Sequence, residues 1–541
     1  MSSLIKPYIR DSLVNLMATE EDAADFYQRV PRLPAITLNP LQHSDLMLLL
    51  TGAYTPLTGY MGQADYVSVL AQMRLSNGDA WMYPLTLPVP IRLAQTLNLG
   101  QSVALKNGHD EVLAILTVTE IYRAQPALEA QALGAALVFG HEVDWYVAGT
   151  VVGIHTQHHY DFIDDYRYPA QLRAHFTARG WGNVLAFQTA QPVHRGALAF
   201  MLRAAAQNQA GLLMQPMTGG KLSTQSAYYP TIRSYHALMA RLSPLTTVMS
   251  LSPNYPRRGG VREILHRAII SRNEGCSHLI VGGEACASGA NRRGRDVLEG
   301  DAFHQVEQHI QEIGVKLIPY PRMVYVEDKA QHLPLEEAPK DAYKLVLTAD
   351  EVKRRLQADL PIPDWYTFPE VLQEMRIAYP PRIASGFAVL MSGVAGVGKT
   401  SLALALSEVL GAAGARKVTV LDNQTLSGYP GLVNNLDIIA LLVSALVRQG
   451  GIVICALEIA TLATRRSIRN ATQLEGGYFE IALTAPASVC AGRLARKGRS
   501  VVEASDYEVS EQIELLIDTS IMDIAQALQR IVLKLEQDGY V

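Results

Sequence analysis

The stretch Gly393-Val394-Ala395-Gly396-Val397-Gly398-Lys399-Thr400 follows the apolar run Gly386-Phe387-Ala388-Val389-Leu390-Met391 and opens the helix-like Ser401-Leu402-Ala403-Leu404-Ala405-Leu406. Strand, glycine-rich loop and helix in that order give the spacing G-x-x-x-x-G-K-[ST] the meaning of a phosphate-binding loop. The glycines let backbone N–H groups point at phosphate oxygens, Lys399 reaches the β and γ phosphates, and the Thr400 hydroxyl is placed to ligate Mg2+. An ordinary βα turn explains the glycines but not the Lys-Thr pair that closes them. Gly393, Gly396, Gly398, Lys399, Thr400 and Ser401 are therefore the nucleotide-binding candidates.

Around this loop lies a chain of 541 residues, enough for three or four domains at about 150 residues each. Charged residues at 18% and a net charge of −4 give no basic excess for nucleic acid and no charged tail. Cys276, Cys286, Cys455 and Cys490 are too widely spaced for a disulfide framework or a zinc quartet, which fits a reducing cytoplasm. Met1 to Asn15 carries Lys6, Arg10 and Asp11 without an apolar core and does not read as a signal peptide. The longest apolar run, Ile438 to Val447, is about half of a membrane span, so no membrane partner is expected.

From Met1 to about His159 the chain reads as strand-rich, with runs such as Ala80 to Ile91 and Val112 to Ile121, and Asn-Gly hairpin signals at 77–78 and 107–108. A helix is expected from Ala64 to Met73. His155, His158 and His159 lack the spacing and the neighbouring acids or thiols of a metal site. Beyond Tyr160 the texture becomes that of a parallel α/β sheet. Helices are expected at 169–179, 195–208, 229–241 and 261–272, with strands at 183–188, 211–215 and 278–282. Ligands of such sheets gather at strand C-ends, here Gln188 to Arg195 and Gly282 to Cys286. The prolines and exposed-looking aromatics of Ile362 to Pro369 read as a linker or docking strap.

These residues together resemble the fused sulfate-activating enzymes, an ATP sulfurylase half followed by an adenylylsulfate kinase half. The leading region is similar to the PUA-like domain of sulfurylases in Leu57-Thr58-Gly59-Tyr60-Met61-Gly62 and Asp65-Tyr66. The next region is similar to the nucleotidyltransferase part in His159-Tyr160-Asp161-Phe162, Gln188-Thr189, Pro192, His194-Arg195, Gly260-Val261-Arg262-Glu263 and His278-Leu279-Ile280-Val281-Gly282. Val324 to Asp328, Glu351 to Leu356 and Pro361 to Pro369 resemble the junction into the kinase. The resemblance implies a multidomain α/β architecture: a PUA-like β-rich domain at 1–159, a Rossmann-like nucleotidyltransferase domain at 160–319, a small subdomain and linker at 320–372, and a P-loop kinase domain at 373–541. It implies ATP and sulfate or adenylylsulfate as substrates, Mg2+ held by Thr400 and Asp422, a homo-oligomer, and a place in the cytoplasm.

Departures from the family pattern fall on the chemistry. The sulfurylase motif Q-T-R-N-P-x-H-x-x-H has Ala190 for its Arg, Gln191 for its Asn and Ala197 for its second His; G-R-D-H-A-G reads Gly282-Gly283-Glu284-Ala285-Cys286-Ala287; and Gln215 stands where a histidine precedes Pro216. Each lost donor facing a transition-state charge costs about 10²–10³ in rate when removed singly. A nucleotide or anion pocket of Gln188, Thr189, His194, Arg195 and Arg257 remains, with His194 and Arg195 as catalytic candidates. In the kinase half the L-D-G-D turn reads Leu421-Asp422-Asn423-Gln424, keeping Asp422 but losing the second acid, and the motifs that grip adenylylsulfate are replaced. Lys399 and Asp422 are its catalytic candidates, with Arg465, Arg466, Arg469, Arg493 and Lys497 as basic neighbours. The expectation is a sulfate-activating enzyme whose kinase half is the more active. The alternatives are a nucleotide-binding regulatory subunit and an enzyme with a different acceptor.

Overall fold

The computed structural model describes residues 12–133, 145–154, 161–220, 227–257, 260–282, 306, 309–414, 416–427, 435–496, 507–510 and 512–541. The chain divides into two compact units, the first holding 1–224, 228–349 and 363–375, the second 225–227, 350–362 and 376–541. All four tryptophans, Trp81, Trp145, Trp181 and Trp365, fall in the first.

The first unit begins with a sheet of β1 (Ala35–Thr37), β2 (Gly59–Tyr60), β3 (Pro88–Val89), β4 (Ser102–Lys106), β5 (Val112–Arg123) and β6 (Trp145–Gly153), in the order β1-β4-β5-β6-β2 with β3 also on β6. The expected hairpin at 107–108 joins β4 and β5, whereas the turn at 77–78 is flanked by an isolated bridge between Arg74 and Ala80 and by no regular pair of strands. The run from Ala80 to Ile91 is not the strand its composition suggests: only Pro88 and Val89 pair. Pro84, Pro88 and Pro90 supply no N–H, so a regular ladder cannot form there.

The second sheet of this unit is parallel, β7 (Val184–Thr189), β8 (Gly211–Pro216), β9 (Thr247–Met249), β10 (His278–Val281) and β11 (Lys316–Pro319), ordered β11-β10-β7-β8-β9. Every residue of β7 and β8 is buried, the pattern of strands covered on both faces. The chain runs β7, β8, β9 to one side and then crosses to β10 on the other, so the topological switch point lies between β7 and β10. Helices Pro169–Ala178, Arg195–Gln207, Tyr228–Met239 and Gly260–Asn273 begin and end within two residues of expectation. A small antiparallel sheet of β12 (Met323–Val326), β13 (Gln331–Pro334) and β14 (Lys344–Leu345) follows. The aromatics of 365–368 are not exposed: Trp365 stacks on Tyr325 with centroids 5.3 Å apart, and Tyr366 is 9% exposed.

The second unit is one parallel sheet, β15 (Phe387–Ser392), β16 (Val418–Asp422), β17 (Ile452–Ala456), β18 (Gly477–Thr484) and β19 (Leu515–Asp518), ordered β16-β17-β15-β18-β19. β15 is buried throughout and flanked by β17 and β18, so its C-end opens at the centre of the sheet. The apolar run at 438–447 is the helix Leu436–Arg448, whose buried Ile439, Ala440, Val443 and Val447 face the core. Among the described residues no helix is long and apolar enough to cross a membrane.

Candidate functional site

At the C-end of β15 the chain turns through Gly393, Gly396 and Gly398, with φ of 142°, 80° and 112°, into the helix Lys399–Ala413. These are left-handed conformations that L side chains rarely adopt. Space demands glycine as well, since a Cβ on Gly393 would lie 2.6 Å from the Leu483 carbonyl and one on Gly396 2.6 Å from that of Cys490. The helix therefore begins with its N–H groups aimed at the loop, which suits an anion. Lys399 curls back into this turn, its Nζ donating to the carbonyls of Gly393 (2.8 Å) and Val394 (3.1 Å). Burial lowers its pKa while the Glu458 charge opposes that. Thr400 and Ser401 stand in the first turn of the same helix.

Asp422 ends β16, adjacent in the sheet to Ala456 of β17. Its Oδ1 accepts from the N–H and the hydroxyl of Thr425, both at 2.7 Å, and so caps the helix Asn423–Ser427, in whose first turn Gln424 is exposed. Arg493 Nη1 donates to the carbonyl of Val397 (3.1 Å) and to Thr519 Oγ1 (2.9 Å), Nη2 donates to the Thr519 carbonyl (2.7 Å), and the Thr519 hydroxyl donates to Val397 O (2.7 Å). Arg493 thus ties the phosphate loop to the end of β19.

Arg465 and Arg469 hold the protein together instead of facing solvent. Arg465 is 1% exposed, donates to the carbonyls of Ile459 (2.8 Å) and Ala460 (2.9 Å), and brings Nε within 3.1 Å of Glu480 Oε1, near enough to pair as charges without a well-aimed hydrogen bond. Arg469 pairs with Glu514 at 2.6 Å and lies 3.7 Å from Glu480. The readable signal was Glu480 itself, a lone acid inside the apolar strand Tyr478-Phe479-Glu480-Ile481-Ala482, since a buried charge requires a partner. Lys497 lies outside the described residues.

The first unit offers a second turn, after β7. Gln188 is 1% exposed and donates to Gln215 Oε1 (2.9 Å) and to Ser271 Oγ (3.3 Å). Thr189 Oγ1 accepts from the Gln191 N–H at 3.1 Å. His194 caps the helix Arg195–Gln207: its Nδ1 accepts from the Ala197 N–H at 3.2 Å, and its ring stacks on Tyr366, centroids 5.2 Å apart. Burial, helped by the neighbouring His332, lowers its pKa to about 4, so the ring is neutral at pH 7. Arg195 donates its backbone N–H to Tyr366 O (2.8 Å) and lays its guanidinium over Phe368, 4.3 Å from the centroid. Beneath the turn, Glu274 is buried beside Gln215 and burial pushes its pKa up to about 8.

Arg257 is not an open phosphate cation. It is paired with Asp45 at 2.6 Å, donates to Tyr54 Oη at 2.8 Å and lies 4.2 Å from the Tyr255 centroid. Meeting a nucleotide would take from the part-buried Asp45 its cationic partner and leave it only the hydroxyls of Tyr54 and Tyr255. The equivalents of G-R-D-H-A-G beyond Gly282, and His155, His158 and His159, lie outside the described residues.

The chain matches the family models of a PUA-like domain over residues 5–155, of ATP-sulfurylase over 164–378 and of adenylylsulphate kinase over 385–500. It is 33% identical to a sulfate adenylyltransferase of Phaeosphaeria nodorum over 95% of each chain, and 32% identical to one of Aspergillus terreus over 94% of each. Among solved structures it is similar to a hexameric APS kinase from Thiobacillus denitrificans, with 36% identity, a TM-score of 0.77 and all of both chains covered.

Proposed function

We propose, from the premise that this chain belongs to the bifunctional sulfate adenylyltransferase and adenylylsulfate kinase family of ATP-dependent transferases, that its working chemistry is the kinase step. That family makes activated sulfate from ATP. The observation that carries the reading is the contrast between a whole phosphate loop at 393–400 and a sulfurylase turn at 188–197 most of whose polar groups bind one another, Gln188 Oε1 and Arg195 Nε excepted. The second unit would hold ATP by the loop amides and Lys399, and present the γ-phosphoryl group for in-line attack by the hydroxyl of adenylylsulfate.

The oxygen donors at this site fit Mg2+, which takes one or two carboxylates and keeps waters and substrate phosphates as its other ligands. Thr400 Oγ1 and Asp422 would hold it, and when bound it neutralises charge on the β and γ phosphates. No group of three or more His, Cys, Asp or Glu placed to hold a metal ion occurs among the described residues, nor does such a site require one. Arg493 keeps the loop in place through Val397, and Lys399, released from its two carbonyls, meets the phosphates.

On the same reading the chain divides at 159/160, 319/320 and 372/373, works in the cytoplasm and forms a homo-oligomer, the last supported by the hexameric relative. A second reading, a nucleotide-binding regulator, is favoured by Gln424 and by the engagement of Asp422 Oδ1 with Thr425. A coupled assay of the purified protein separates them. ADP formation that depends on adenylylsulfate supports the kinase, and ATP binding without it supports the regulator. Pyrophosphate release with sulfate would overturn the silence of the first unit.

A further inference from the structure

The kinase reading leaves one acid short at the magnesium, because Gln424 is neutral and Asp422 already serves as a cap. β17 runs between the strand that ends in Asp422 and the strand that feeds the phosphate loop, with Ala456 paired to Asp422 and Cys455 to Leu390. Glu458 emerges two residues beyond Ala456. Its neighbours Leu457 and Ile459 are 4% and 6% exposed and packed in the core, while Glu458 itself is exposed. The backbone just after it is gripped by Arg465, which donates to the carbonyls of Ile459 and Ala460 and is itself paired with the buried Glu480. A site residue on so fixed a support is held in place by its surroundings. Among the described residues the Glu458 carboxylate has no hydrogen-bonding or ion-pair partner, and its charge acts on the Lys399 ammonium. An anion beside the cation that meets triphosphate repels the nucleotide unless a metal ion lies between them.

We propose that Glu458 supplies the carboxylate missing at position 424 and would hold the hydrated Mg2+ of bound Mg·ATP from the C-end of β17. The proposal rests on the second unit binding ATP. It makes a rigid strand end, in place of the altered turn after β16, the origin of the metal's second carboxylate beside Asp422.

The test is calorimetric titration of ATP into the full-length protein, once with excess Mg2+ and once with EDTA, for wild type and Glu458→Gln. The ratio of the two affinities isolates the metal from the phosphates. In the variant this ratio should fall about 10–100-fold, the usual cost of losing a group that orients a bound metal. Affinity in EDTA should stay equal or rise as repulsion is relieved. Glu458→Asp should restore part of the ratio. An unchanged ratio, whether or not turnover falls, overturns the inference, because Glu458 would then be only a countercharge for Lys399 or act on the acceptor. Absence of ATP binding by wild type overturns the kinase reading and this inference with it. Because Glu458 is exposed, an unchanged thermal midpoint is expected to confirm folding.

Discussion

Two strand-to-helix turns of similar topology, 188–195 after β7 and 393–400 after β15, have opposite internal economies. In the second, glycines required by backbone geometry leave the helix N–H groups directed at the loop, and the one buried cation is held by two carbonyls that it can release. In the first, side chains do the bonding: amide to amide, hydroxyl to N–H, imidazole to N–H and guanidinium to ring. That turn meets most of its own polar groups and leaves Gln188 Oε1 and Arg195 Nε as its buried atoms without a hydrogen-bond partner among the described residues, so it has less to offer a ligand. The presence of polar residues at a strand C-end is therefore a weaker sign of a site than the presence of polar groups whose partners are replaceable.

The comparison breaks most sharply at Lys399. Lys399→Ala should lower ATP affinity or turnover by at least about 10²-fold, the order of a lost phosphate-facing cation. Urea unfolding followed by tryptophan fluorescence, which reads the first unit only, should not move. Equal ATP affinity in the variant would end the phosphate-loop reading. Gln424→Asp probes the same turn from the acceptor side. If the lost acid is what slows the kinase, adenylylsulfate-dependent ADP formation should rise by about 10²-fold, the lower range of general-base help. A wild-type turnover already near 1–100 s⁻¹, roughly that of ordinary kinases, would show that residue 424 is dispensable.

In the first unit, Ala197→His returns an imidazole to the family's motif but places it at a residue 1% exposed whose N–H already feeds His194. We expect no sulfate-dependent pyrophosphate release and a stability loss of about 1–3 kcal/mol from overpacking, read as the urea midpoint. Restored release would show a decayed site instead of a rebuilt one.

The smallest effect is with pH. Burial lowers the pKa of His194 and of His332 to about 4, below the unfolded value of about 6.5. Between those values the unfolded chain binds more protons than the folded one. Stability of the first unit is therefore indifferent to these rings above about pH 6.5 and falls as pH drops toward about 4. From about pH 7 to about pH 5, His194 should account for about 1–2 kcal/mol of that loss. His194→Asn, which keeps a cap acceptor without the titration, should flatten the slope of the fluorescence midpoint against pH.

Much of both parallel sheets was legible because strands buried on two faces are written as apolar runs, and helices carry their caps beside them in sequence. The phosphate loop was legible for the same reason: everything that defines it lies within eight consecutive residues, 393–400. What escaped was pairing at a distance. Gln188 meets Gln215 only because β7 and β8 are neighbours in one register. Arg257 finds Asp45 across 212 residues, and the ring under His194 comes from Tyr366. None of these leaves a local periodicity. Runs such as 80–91 misled in the other direction, since composition suggested a strand and proline spacing forbade the ladder.

The buried charges Arg465, Glu480 and Arg469, with the part-buried Glu514, carry a consequence for descent. Losing Arg465 or Glu480 breaks the most buried pair and weakens the charge balance of the interior, at about 3–5 kcal/mol when a buried pair is broken, a large share of what a domain of this size has to lose. Single-step replacement is thus closed to selection, although exchange of a whole pair for apolar residues is not. Among related chains these positions should change in couples, so that an apolar residue at 480 travels with an uncharged one at 465.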